Sequence, residues 1–142
     1  MSNSTPYELL GGESGLKALA NAFYDAMDEL PEAAVIRAMH DEKLDEIKHK
    51  LFEYLSGWLG GPSLYAERTG SVCLTKPHSP YAIGPAERDQ WLMCMDRALE
   101  VVNASEEVRQ MLKMPMFRVA DAIRNRDSSA PVERDPNVIA VG

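Results

Sequence analysis

Residues 72–95 read VCLTKPHSPYAIGPAERDQWLMCM, and both the fold and the chemistry of the chain turn on this stretch. Its first half has neither helical nor strand periodicity and sets His78 between Pro77 and Pro80. Pro77 keeps Thr75 and Lys76 out of a helix, and Pro80 keeps His78 from lying deep inside a long one. After Gly84 the pattern changes. Pro85 suits a first helical position, Glu87 adds negative charge to the first turn, and Trp91 follows two turns in. A histidine on a short rigid turn, ahead of a helix bearing a large aromatic with one polar N–H, suits a cofactor pocket. Taken alone, the plainer reading is better: a solvated loop histidine and a core tryptophan.

Downstream of this stretch, the helix from Pro85 is predicted to reach about Val102 with Trp91, Met95, Ala98, Leu99 and Val102 inward. Asn103 is the expected cap of the last helix, with Glu106 in the capping-box position. That helix carries Val108, Met111, Leu112, Phe117, Ala120 and Ile123, and Pro115 should kink it. The domain is expected to span residues 1–125. Residues 126–142, RDSSAPVERDPNVIAVG, are polar and proline-bearing and read as a disordered or loosely docked tail.

Upstream, Thr5-Pro6-Tyr7-Glu8 is a capping box opening a short helix that ends at Gly11-Gly12. Ser14 is the expected cap of the next helix, where Leu16, Leu19, Ala20, Phe23, Tyr24 and Met27 recur every three or four residues. Pro31 opens PEAAVIRAM, which closes at His40-Asp41. Asp41 is the expected cap of DEKLDEIKHKLFEYLSGWL, whose stripe is Leu44, Ile47, Leu51, Tyr54, Leu55 and Trp58. His49 lies about 200° round the helix from Ile47, between two lysines, and reads as solvated. Gly60-Gly61-Pro62 stops the helix. Residues 63–84 read as loop with a turn of helix at 63–67, long enough to bind or cover something. With no repeat and no strand pattern, the chain is all-α.

Composition narrows the function. A chain of 142 residues, 45% hydrophobic, forms one domain and buries a core without disulfides. No apolar run is long enough to span a bilayer, and MSNSTPYELL lacks the basic and apolar regions of a secretory signal. The expectation is a soluble, cytoplasmic protein. A net charge of −7, from 15 basic and 22 acidic residues, argues against nucleic acid and anionic membranes as partners. Cys73 and Cys94 read as free thiols in a reducing cytoplasm, with a single bridge left open. Neither the ligand spacings of zinc nor the glycine patterns of phosphate cradles occur. Haem differs in asking for one histidine, apolar walls and a few distal donors, and that requirement can be met here.

Three separated motifs then carry a resemblance. WLGGPSLYAER at 58–68, His78-Ser79-Pro80-Tyr81-Ala82-Ile83, and ERDQWLMCM at 87–95 resemble a group II truncated haemoglobin, in the family's order, within a similarity covering roughly residues 6–125. The family's counterparts are a WGGP-like helix end, an H-x-P-F motif around the proximal histidine and an ERDxWLxCM-like helix. The resemblance implies a truncated globin-like two-over-two helical sandwich around haem b, with His78 as iron ligand. It implies Trp91 pointing into the distal pocket and Tyr24 donating to bound ligand; alone, Tyr24 reads as a buried helix tyrosine. The helix after Asp41 becomes the distal helix, with Ile47, Leu51, Leu55 and Ile83 as haem-binding residues and His40 at the preceding corner. Lys50, Tyr65 and Arg68 are candidates for the haem propionates and equally suit a solvated surface. Tyr81 stands where the family has Phe, Pro77 immediately before the ligand departs from its pattern, and the tail lies outside the similarity.

The implied function is binding of dioxygen, nitric oxide, carbon monoxide or peroxide by a monomer or weak dimer, served by an unidentified reductase. Tyr24, Trp91 and His40 form the catalytic set. Three distal donors favour slow release, hence nitric oxide or peroxide detoxification over oxygen delivery. The alternative is a helical interaction or sensor module that binds haem weakly or not at all.

Overall fold

The computed structural model describes residues 4–40, 42–70, 78 and 81–125, and all their regular structure is helical. In chain order these are α1 (Pro6–Leu9), α2 (Gly12–Glu29), a 3-10 turn (Pro31–Ala33) running into α3 (Ala34–Ala38), α4 (Asp45–Trp58), α5 (Leu64–Thr69), α6 (Pro85–Val101) and α7 (Glu106–Ile123). None of these helices is long and apolar enough to cross a membrane.

α2 organises the packing. The six residues predicted to face inward are all buried, and Ala22 and Ala26 join them on a second face. With two apolar faces, α2 packs against both α4 and α6. Phe52, Leu55 and Leu59 of the α4 region and Cys94, Met95, Ala98 and Leu99 of α6 share its core. At the rim, Lys48 Nζ donates to Asn21 Oδ1 (2.6 Å) and the Lys17 ammonium lies 5.3 Å from the centre of the Phe52 ring. α7 packs on α6 and α5 on α4. The Cys94 thiol is free and buried, and burial pushes its pKa up to about 11. Cys73 lies outside the described residues, as do Pro77, Pro80 and the tail after Asn125.

Helix ends show where local signals sufficed. At α1 the capping box forms as expected: Glu8 N–H donates to Thr5 Oγ1 (3.2 Å) and Thr5 N–H to Glu8 Oε1 (3.0 Å). α2, however, starts two residues ahead of Ser14, behind Gly11 in the left-handed region (φ 104°), so Ser14 sits inside the helix. The predicted cap Asp41 lies outside the described residues and too far from α4, which begins at Asp45. Buried Leu44 occupies the cap position instead, and Asp45 and Glu46 supply first-turn negative charge.

The α6–α7 connection corrects a further expectation. Asn103 does not cap α7. It adopts φ 58°, its N–H donates to Glu100 O (2.9 Å) and Ala104 N–H donates to Leu99 O (2.9 Å), which closes α6 in a Schellman turn. Ser105 caps α7, its Oγ accepting from Val108 N–H (3.3 Å), so Glu106 is the first helical residue. α7 runs unbroken through Pro115. Val108, Leu112, Met116 and Ala120 form its buried stripe, while Met111 and Phe117 are exposed, the latter partly covered by the Arg88 guanidinium 5.0 Å from its centre.

The expected stop after α4 has a tertiary reason as well as a local one. Gly60 has φ 99°, and a Cβ on Gly61 would lie 2.4 Å from the Tyr7 ring. Tyr7 N–H donates to Leu59 O (3.0 Å), so α1 docks on the end of α4 through this glycine pair. α5 then runs Leu64–Thr69, longer than the single turn predicted at 63–67, and ends at Gly70 with φ 78°.

Candidate functional site

α4 has two apolar faces. Phe52, Leu55, Ser56 and Leu59 close against the core, and Phe52 was not expected there. Ile47, Leu51, Tyr54 and Trp58, spaced one helical face apart, are only half-buried. Leu44 and Leu55 of the predicted stripe therefore lie in the core, while Ile47, Leu51, Tyr54 and Trp58 form an apolar wall that the helices leave partly open. Tyr54 stacks on Trp58 (ring centres 6.4 Å apart) and meets Tyr65 of α5 edge-on at 5.8 Å. With Gly57, Ser63 and Ala66 these rings line a cavity of about 340 Å³.

The predicted catalytic residues fall along a run of rings. His40 meets Tyr24 edge-on at 5.6 Å, Tyr24 meets Phe23 at 4.9 Å, and Phe23 meets Trp91 at 5.1 Å. Phe23 thus links Tyr24 to Trp91, a role that its place in the α2 stripe did not disclose. Tyr24 is 4% exposed, and its hydroxyl makes no hydrogen bond to a described residue. Burial raises its pKa well above the ordinary tyrosine value, and the nearby Cys94 thiol adds to the shift, so it is a neutral O–H donor. His40 is half-buried, with Nδ1 2.8 Å from Ile36 O. A carbonyl only accepts, so Nδ1 carries the hydrogen and Nε2 the lone pair in the neutral ring. The corner is braced by Arg37, which pairs with Asp28 and donates to Glu42 O (3.1 Å).

His78 is half-buried on a segment bound to the end of α7. Its carbonyl accepts from Tyr81 N–H (3.0 Å) and Asn125 Nδ2 (3.3 Å). Asn125 also donates from Nδ2 to Tyr81 O (2.7 Å) and from its backbone N–H to Ile83 O (2.8 Å), and accepts from Ile83 N–H at Oδ1 (2.9 Å). Ile83 is half-buried and Tyr81 exposed. Beyond them Gly84 N–H donates to buried Glu87 Oε1 (2.7 Å), which starts α6. Nothing in the sequence singled out Asn125, because its partners lie more than 40 residues away.

The charged candidates have protein partners. Arg68 reaches Glu53 of α4 through Nε (2.7 Å) and Nη2 (2.6 Å) and lies 5.8 Å from the centre of the Tyr65 ring. Lys50 pairs at the surface with Glu46 (3.4 Å). His49 is largely exposed, as expected, and approaches Glu53 (3.4 Å). The Arg68 hydrogen bond holds the Glu53 carboxyl below its ordinary value of 4.5, with the positive charges of Arg68 and His49 adding to it. A depressed folded pKa gives stability that is present above the unfolded value and lost as pH falls through the folded one. Thermal melts should therefore drop more steeply for the wild type than for Glu53→Gln below about pH 4.5. Parallel acid limbs for the two proteins would show that the pair contributes nothing.

Among the described residues no group of three or more His, Cys, Asp or Glu could hold a bare metal ion. Iron in a porphyrin needs only one protein ligand, with apolar walls and distal donors. His78, the half-open apolar face of α4 and the Tyr24 hydroxyl, which bonds to no described residue, fit that need.

Comparison with known proteins points the same way. The family described as bacterial-like globin matches residues 5–125. Group 2 truncated hemoglobin YjbI of Bacillus subtilis is 33% identical over 109 residues, 77% of this chain and 80% of that protein. The group II 2-on-2 hemoglobin of Agrobacterium tumefaciens superposes with a TM-score of 0.83 at 39% identity, over 89% of this chain and 98% of that one. The cold-adapted truncated hemoglobin of Pseudoalteromonas haloplanktis TAC125 gives 0.82 at 41% identity, over 87% and 99%.

Proposed function

Because this chain belongs to the bacterial-like globin family and, within it, to the group II truncated haemoglobins, we propose that it holds haem b on His78 and transforms small ligands there rather than delivering oxygen. Membership itself carries the two-over-two sandwich, haem-iron binding and small gaseous ligands. The single observation behind the more specific reading is Tyr24, a largely buried side chain whose neutral hydroxyl bonds to no described residue, beside His40.

Haem, when bound, would supply an iron atom that takes dioxygen, nitric oxide, carbon monoxide or peroxide. His78 would hold it through one imidazole nitrogen, and a hydrogen bond from the other would fix the ring. Ile47, Leu51 and Ile83 exclude water. Tyr24 and Trp91 each have one hydrogen to give to a ligand that has drawn negative charge. Such a bond contributes about 1.5–3 kcal/mol, which slows release and makes delivery a poor role. His40 has a lone pair on Nε2 in its neutral form, which suits taking a proton from one oxygen of peroxide and returning it to the other. Electrons come from a separate reductase, and the setting is cytoplasmic, with the protein a monomer or weak dimer. Arg68 and Lys50 would have to share their charge between a propionate and their glutamate partners.

Hemin titration of the purified protein tests the reading. An intense Soret band that saturates near one hemin per chain is expected. A colourless protein that takes up no hemin would instead leave a helical interaction module.

A further inference from the structure

We propose that Asn125 is a positioning residue for His78: from the end of α7 it fixes the His78 carbonyl, and through it the direction in which the imidazole leaves the backbone. The inference rests on His78 being the iron ligand. Pro80 offers no N–H, and the His78 carbonyl draws one of its donors from the end of α7. The anchor is the last turn of α7, where the Asp121 carboxylate accepts from Arg88 Nη1 of α6 (2.8 Å) and from Arg124 Nε (3.0 Å). From that anchor Asn125 places one acceptor on Ile83 N–H (2.9 Å) and donors on Tyr81 O (2.7 Å) and His78 O (3.3 Å). Aspartate would keep the acceptor and lose both donors; serine would be too short to serve all three groups. With Tyr81 N–H also on the His78 carbonyl (3.0 Å), two donors hold that peptide plane. A fixed plane sets the position of the His78 Cα, from which the imidazole departs, and narrows the directions open to its Cβ. Partners that orient a ligand in this way are worth roughly 10–100-fold in metal affinity.

The test uses the full chain loaded with hemin: wild type, His78→Ala, Asn125→Ala, Asn125→Asp and Asp121→Asn. The readouts are the iron–histidine stretching band of the ferrous, ligand-free protein by resonance Raman, and the rate of hemin transfer to apomyoglobin. Asn125→Ala should shift or broaden the band and speed hemin loss about tenfold or more. Asn125→Asp, which retains the Ile83 bond, should reproduce the band change and decides the matter if the alanine variant fails to fold. Asp121→Asn weakens the ion pairs of that helix end; it should lower Tm and move the band less than either Asn125 variant does. An unchanged band in both Asn125 variants, or an equal shift in Asp121→Asn, overturns the proposal. His78→Ala separates the two readings. A surviving iron–histidine band there refutes His78 as ligand, whereas its loss alongside unaltered Asn125 variants removes only the role of Asn125.

Discussion

Replacing His78 with alanine is expected to abolish stable axial ligation, the largest effect of any single substitution in this protein. His78 stands on the segment that Asn125 ties to α7, whereas His49 sits largely exposed beside Glu53 on α4. Losing a partner that merely orients a metal ligand costs roughly 10–100-fold in affinity, and losing the ligand itself should exceed that. Hemin transfer to apomyoglobin from His78→Ala should therefore be at least about a hundredfold faster than from wild type, with the ferrous Soret band altered. His49→Ala should match wild type in both. A protein that needed His49 and tolerated the loss of His78 would place the iron on the wrong part of the chain. His40 is the remaining histidine. Its ring meets Tyr24, and it should affect chemistry rather than attachment.

The second large effect is on ligand release. Tyr24→Phe removes a hydroxyl that bonds to no described residue, from a side chain that is 4% exposed. Two outcomes are expected together. Stability of the ligand-free protein should change little, because the hydroxyl bonds to no described residue and its loss breaks no hydrogen bond among them. Dioxygen dissociation, followed by stopped-flow displacement with carbon monoxide, should accelerate about 10–100-fold, since a donor to a charged acceptor contributes about 1.5–3 kcal/mol. Trp91→Phe should accelerate it too, while keeping a ring against Phe23. His40→Phe should reduce peroxide reactivity more than it alters dioxygen release. If Tyr24→Phe and Trp91→Phe both left the dissociation rate within about twofold of wild type, the distal donors would have no part in holding the ligand. A large loss of stability in Tyr24→Phe would mark the hydroxyl as structural.

Much of this was legible before any coordinates. The Thr5–Glu8 box, the six inward residues of α2 and the start of α6 behind Gly84 are decided within three or four residues of each other. The same local grammar made the chain all-α, and the motifs around Trp58, His78 and Trp91 pointed to haem. Periodicity could not separate the two apolar faces of α4. Which face closes depends on α2, which takes Phe52 and Leu55 into the shared core and leaves Ile47, Leu51, Tyr54 and Trp58 half-open. Asn103, the expected cap of α7, is instead taken by the left-handed end of α6, which leaves the capping to Ser105. Arg68 looked free to meet a propionate, yet its partner Glu53 lies 15 residues back on another helix. Asn125 left no local trace, since its bonds reach 42 to 47 residues back to Ile83, Tyr81 and His78. Sequence determined what each segment can form, because turns, caps and helical stripes are satisfied by near neighbours. Tertiary structure alone decided which apolar face is buried and which polar groups meet, because those contacts exist only once α7 and α2 have brought distant segments together.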